Sequence, residues 1–143
     1  MDEIYHHALK LLRRRDYTER RLREKLELKF GSVPAEVIRQ LLEKRFLDDR
    51  RYAENFVAKH PDRHPEGVRA ALEEAGVAPQ TVDAVLRARD WPSLPDVLKA
   101  KMRIWRLHPP LPQRDAARLF RLLSRLGYPE EEIREELEQL HEQ

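Results

Sequence analysis

The sequence predicts an all-α protein built as a tandem array of three three-helix repeats, elongated and curved. Three observations predict it. Leucine, arginine, glutamate and alanine dominate the chain, and all four favour helix. Runs that alternate apolar and polar residues in the manner of a strand are almost absent. Three glycines, Gly31, Gly76 and Gly127, recur at spacings of 45 and 51 residues, and a proline follows each (Pro34, Pro79, Pro129). Six residues past each glycine stands Val37, Val82 or Ile133, and ten past stands Leu41, Leu86 or Leu137. A glycine that ends one helix and a proline that opens the next, repeated at this period, mark tandem helical units. The units are expected at residues 1–47, 48–91 and 92–143, the last holding a proline-rich connector at 108–112.

Ile4 to Arg14 reads as a helix with Ile4, Tyr5, Ala8, Leu9, Leu11 and Leu12 inside. Thr18 is placed to cap a second helix whose buried face is Leu22, Leu26 and Phe30 and whose stop is Gly31. Pro34 opens a third, with Val37, Ile38, Leu41 and Leu42 buried. Asp48 or Asp49 caps a fourth, with Phe46 and Leu47 as a hydrophobic staple and Tyr52, Ala53, Phe56 and Val57 as its apolar stripe. Phe56 is expected to be buried. Pro65 and Pro79 open two shorter helices, carrying Val68, Ala71 and Leu72, then Val82, Val85 and Leu86. Past Trp91-Pro92, a helix from about Ser93 to Leu107 carries Val97, Leu98, Ile104 and Trp105. Arg114 to Leu126 and a last helix after Pro129, with Ile133, Leu137 and Leu140, complete the third unit.

Charge favours an elongated architecture. Charged residues make up 38% of it, against roughly a quarter in ordinary globular proteins, which favours thin architecture over a ball. Net charge is only +2, but its distribution is uneven. Lys10 to Lys25 holds eight basic and three acidic residues, Ser93 to Gly127 eight and two, and Tyr128 to Gln143 one and seven. Such segregation points to surfaces with different partners. With no cysteine, disulfides and thiolate metal sites are excluded. The first residues lack the basic region and apolar core of a signal peptide, and no apolar run has the length to cross a membrane, so a cytoplasmic location is expected.

No catalytic residues are predicted, and no metal or other cofactor. Every glycine has a structural use, with Gly67 early in its helix, so no phosphate-cradling loop is left. His60 and His64 have the spacing of a helical ligand pair, but Pro61 intervenes, and both read as solvated loop histidines. Binding has clearer candidates. Arg114, Arg118, Arg121 and Arg125 fall in one narrow helical stripe, opposite Leu119, Phe120 and Leu123. Lys99, Arg103 and Arg106 repeat that spacing one helix earlier, and Arg13, Arg14, Arg20, Arg21 and Lys25 form a third cluster. Solvated faces usually mix signs, whereas here acidic neighbours are few, and guanidinium groups pair well with phosphate and carboxylate alike.

The stretch Phe46-Leu47-Asp48-Asp49-Arg50-Arg51-Tyr52-Ala53, ending in Phe56-Val57, resembles the F-L-D-D-x-R-Y-A-x-x-F-V signature of the RecX family. Gly67, Leu72 and Gly76-Val77 resemble that family's second-repeat pattern, in the right order. The resemblance implies three tandem helical units and a non-enzymatic role as regulator of the RecA recombinase. It implies RecA and the RecA–single-strand DNA filament as partners, with weak, largely sequence-independent DNA contact. Suppression of ATP hydrolysis, strand exchange and repressor cleavage would result. A monomer is expected, since the chain has no long heptad seam. From the residues alone, a helical nucleic-acid binder unconnected with RecA and a protein-only scaffold remain open.

Overall fold

A computed structural model describes residues 2–141; Met1 at the head of the first expected repeat, and Glu142 and Gln143 at the end of the third, lie outside the described residues. All regular structure in the described residues is helical. The helices are α1 (Asp2–Arg14), α2 (Glu19–Phe30), α3 (Ala35–Glu43), α4 (Asp49–Lys59), α5 (Pro65–Ala75), α6 (Pro79–Arg87), α7 (Leu94–Trp105), α8 (Gln113–Arg125) and α9 (Glu130–His141). The chain divides into two compact units, Met1–Lys59 with Ala71–Ala88, and His60–Ala70 with Arg89–Gln143, so the division falls inside α5.

In the first unit, Ala8, Leu22, Leu26, Val37, Ile38, Leu41 and Leu47 form one buried cluster, flanked by Tyr5, Tyr17 and Phe30. α4 lies against α6, burying Ala53 and Val57 on its side and Val82, Val85 and Leu86 on the other. Of the apolar residues expected inside, Leu42 is exposed, and Tyr52 and Phe56, like Ile4, Tyr5, Leu9, Leu11, Leu12 and Phe30, are partly buried. Leu42 is 41% exposed, because Val37, Ile38 and Leu41 set the inner face of α3 and Leu42 lies about 100° round the helix from Leu41. Phe56 is only half-buried, and so is Tyr52. Ala53 and Val57 alone define the inner line of α4, which leaves both aromatics on its flanks. Of the staple pair, Leu47 is buried while Phe46 is 45% exposed.

In the second unit, Val97, Leu98, Met102, Leu119, Leu123, Ile133 and Leu137 join α7, α8 and α9 in one core. Leu111 is buried in that core and anchors the proline-rich connector, while Ile104 on α7 is 69% exposed. Ser93 caps α7, its hydroxyl accepting the Asp96 amide at 3.2 Å.

Four helices end alike. A residue just past the last turn adopts positive φ and donates to the carbonyl three back, while the next amide reaches five back. Val77 N donates to Leu72 O at 3.0 Å beyond Gly76, and Tyr128 N to Leu123 O at 3.2 Å beyond Gly127. Phe46 N donates to Leu41 O at 3.0 Å and Leu107 N to Met102 O at 2.8 Å in the same way, but here Arg45 (φ 60°) and Arg106 (φ 56°) take the left-handed place. Neither arginine stop is announced by a glycine.

Candidate nucleic-acid and protein interface

The signature stretch proves to be a structural clamp. Asp48 caps α4, its carboxylate accepting the Arg51 amide at 3.0 Å. Asp49 does something different: it accepts the Glu19 amide at 2.8 Å, and so caps α2, thirty residues earlier. Burial pushes the Asp49 carboxyl above its ordinary range, with Glu19 and Asp48 adding to the rise and the Glu19 amide opposing it. The Arg51 guanidinium donates to Arg45 O at 2.8 Å and Phe46 O at 3.3 Å, closing the left-handed turn between α3 and α4. One short sequence therefore locks three helices together.

A second device occurs once in each unit. In the first unit the start of α2 meets the end of α5. The buried Thr18 hydroxyl accepts from Arg21 N at 3.2 Å and donates to Ala75 O, and the Arg20 guanidinium donates to Glu74 O. A Cβ on Gly76 would lie 2.8 Å from the Arg20 Cβ. In the second unit the start of α5 meets the end of α8. His64 N donates to Leu126 O at 2.8 Å, and a Cβ on Gly67 would lie 2.7 Å from that same oxygen. In both joints the residue that caps one helix donates to the carbonyl just before the glycine that ends another, so donors at a helix start satisfy carbonyls left over at a helix end.

His64 is thus not the solvated histidine its loop position suggested. Its Nδ1 accepts from Glu66 N at 3.0 Å, which caps α5, and its ring packs edge-on against Tyr128 at 5.1 Å between centroids. Beside it, Tyr128 donates to Asp62 O at 3.1 Å, and Lys101 pairs with the Asp62 carboxylate at 2.6 Å. Burial, then the Asp62 charge, raises the Tyr128 phenol above its usual value.

The predicted basic residues occupy three settings. On α8, Arg114, Arg118, Arg121 and Arg125 are all exposed along one face, with Leu119 and Leu123 fully buried opposite. The Arg118 guanidinium carbon lies 3.8 Å from the centroid of the Trp105 ring, a cation–π contact that holds the guanidinium in place. Arg121 and Arg125 border a surface hollow of about 540 Å³ with Phe120, Ser124 and Glu130. On α7, Lys99 and Arg103 are exposed, but Arg106 stands past the helix end in left-handed conformation, so the helical spacing stops at Arg103. In the first unit, Arg13 and Arg14 close the last turn of α1, where cations suit the carbonyl end of the dipole. Arg20 is taken up by Glu74 O and by Glu24 at 3.5 Å. Arg21 and Lys25 instead border a cleft of about 290 Å³ that also holds Arg15, Tyr17, Leu28 and Tyr52. Sequence spacing missed the two tyrosines, because one lies in a loop and the other on a different helix. Their nearness to basic runs was the available signal. Among the described residues, no three histidine or carboxylate side chains group as a metal site.

No protein-family model matches the sequence. The all-helical fold, however, resembles a crystal structure of RecX from Lactobacillus salivarius with a TM-score of 0.64, covering 96% of each chain at 16% identity. Sequence relatives are nearer. A regulatory protein RecX from Halorhodospira halophila is 33% identical over 132 residues, covering 89% of this chain and 81% of that one. One from Thermus thermophilus is 37% identical over 130 residues, covering 89% and 84%. The chain belongs to the RecX family.

Proposed function

We propose that this chain is a non-enzymatic regulator that binds RecA and the RecA–single-strand DNA filament, and suppresses ATP hydrolysis, strand exchange and repressor cleavage there. The observation that carries the reading is the likeness to regulatory proteins named RecX over 89% of the chain. The exposed arginine face of α8 supports it, because it offers planar cations either to DNA phosphates or to acidic groups on a protein. DNA contact in this reading is weak and largely independent of sequence, and the protein works in the cytoplasm as a monomer. The three units 1–47, 48–91 and 92–143 are part of the same proposal, supported by the recurrence of the Thr18–Ala75 and His64–Leu126 joints. The test is titration of the purified protein against RecA on single-stranded DNA, following ATPase rate and filament length. A falling rate and shortening filaments are expected; unchanged values at saturating protein would overturn the reading.

A further inference from the structure

We propose that the cleft between the start of α2 and α4 is a binding site for one unstacked nucleotide, the base resting on tyrosine and the phosphate on Arg21 and Lys25. The cleft is about 290 Å³, roughly the space of one nucleotide, and two tyrosines of different elements border it. Tyr17 is partly buried against the core of the first unit, which fixes its ring. The Arg15 guanidinium already lies over that ring, 5.3 Å from its centroid, so the face accepts a flat, polar group. Tyr52 comes from the flank of α4 and is half-buried. Its phenol was assigned to the helix core by spacing, yet the core has no need of it: Ala53 and Val57 supply the buried line.

The charges at the cleft are arranged for an anion. Its two carboxylates are engaged elsewhere: Asp16 accepts from the Asn55 amide at 3.1 Å, and Glu24 lies 3.5 Å from Arg20. Among the described residues, Arg15, Arg21 and Lys25 have no carboxylate partner. Leu28 at the lip is 89% exposed, a large apolar side chain left in water where the edge of a base would cover it. Aromatic platforms flanked by unpaired cations are how proteins hold single-stranded nucleic acid without reading its sequence, since every base has a π-face. The same chemistry is carried by a free nucleotide, and the two sources differ only in what extends beyond the cleft.

The proposal rests on the reading of this protein's basic faces as nucleic-acid contacts, and it is tested with the full chain. Anisotropy of a labelled oligothymidine strand is titrated with the protein, and free ATP is then added as competitor. Tyr17→Ala and Tyr52→Ala are each expected to lower strand affinity about tenfold, while Tyr17→Phe and Tyr52→Phe retain it. The pair Arg21→Glu and Lys25→Glu, on the outer side of α2, tests the phosphate end without touching the core. Competition by ATP would assign the site to a free nucleotide, and its absence would assign it to the strand; either supports the site. Alanine and glutamate variants that stay helical by circular dichroism and bind strand and ATP like wild type would overturn it. Failure here leaves RecA inhibition intact in those variants, whereas failure of the regulatory reading leaves RecA unaffected by the wild type itself.

Discussion

Gly67 should be irreplaceable although it lies inside a helix and has no left-handed backbone to justify it. Replacing an interior helical glycine by alanine ordinarily stabilises by about 1 kcal/mol, because alanine loses less backbone entropy on folding. Here the added Cβ would lie 2.7 Å from Leu126 O and 3.3 Å from both Leu126 C and Gly127 Cα. All three are backbone atoms at the end of α8, so no side chain can swing aside. Relief requires α5 and the α8 terminus to part by roughly half an ångström or more, which stretches the 2.8 Å bond from His64 N to Leu126 O. Overpacking of this kind costs about 1–3 kcal/mol, and weakening a part-buried backbone bond adds about 1. Set against the propensity gain, Gly67→Ala should destabilise by about 1–3 kcal/mol, lowering the melting temperature by roughly 3–10 °C in a chain of this length. Urea and thermal unfolding followed by circular dichroism measure it. Gly31→Ala offers a contrast, since a Cβ there meets nothing within 4 Å and only its backbone, at φ 85° and ψ −60°, resists, at about 1–3 kcal/mol. If Gly67→Ala matched or exceeded wild type in stability, the close joint of α5 and α8 would not exist as described.

Three further outcomes can be measured. Arg45→Gly and Arg106→Gly should each stabilise by about 0.5–1 kcal/mol in urea unfolding, because both arginines hold the left-handed place that glycine occupies without steric cost. Replacing Arg118 and Arg121 by glutamine should weaken DNA or filament binding for all sequences alike and flatten the dependence of log affinity on log salt by roughly two units, at about 0.5–1 kcal/mol of stability from the lost cation–π contact with Trp105. Asp49→Asn keeps an oxygen for the Glu19 amide but removes a partly buried charge. Because the folded-state pKa of Asp49 is raised, the wild type gains stability as pH falls through that pKa. The asparagine variant should therefore compare best with wild type near neutral pH and lose ground on acidification. Asp49→Ala, which removes the cap outright, should cost about 1 kcal/mol near neutral pH and more on acidification.

Local chemistry was legible in the sequence wherever both partners lie within a turn or two. Thr18 before α2, Gly31 after it, Pro79 opening α6 and the arginine stripe of α8 opposite Leu119 and Leu123 all come from spacing that a helix dictates. Burial was less legible. Leu42, Phe56 and Ile104 satisfy the apolar period, but a short helix buries only a narrow line, and which line depends on the neighbour rather than the helix. Arg45 and Arg106 show a different limit. The turn at Arg45 is imposed from downstream, where Leu47 is drawn into the core and Arg51 grips the turn. Beyond Arg106, Leu107 packs against the core of the second unit in a similar way. Nothing in an arginine announces either turn.

What spacing could not show at all is long-range satisfaction of backbone groups. Asp49 and Glu19 are thirty residues apart, Thr18 and Ala75 fifty-seven, and His64 and Leu126 sixty-two. Each pair satisfies a donor at a helix start, and the last two satisfy a leftover carbonyl at a helix end as well. These contacts change what the signature residues are for. Asp48, Asp49 and Arg51 form caps and a turn, and Gly67 and Gly76 lie at close approaches, so each has a structural role of its own. Outside those bonds stand the exposed α8 arginines, Lys99 and Arg103 on α7, and the Tyr17–Tyr52 cleft with its Arg21 and Lys25. Of that recognisable stretch, Tyr52 borders the cleft, beside the caps and the turn that its neighbours form.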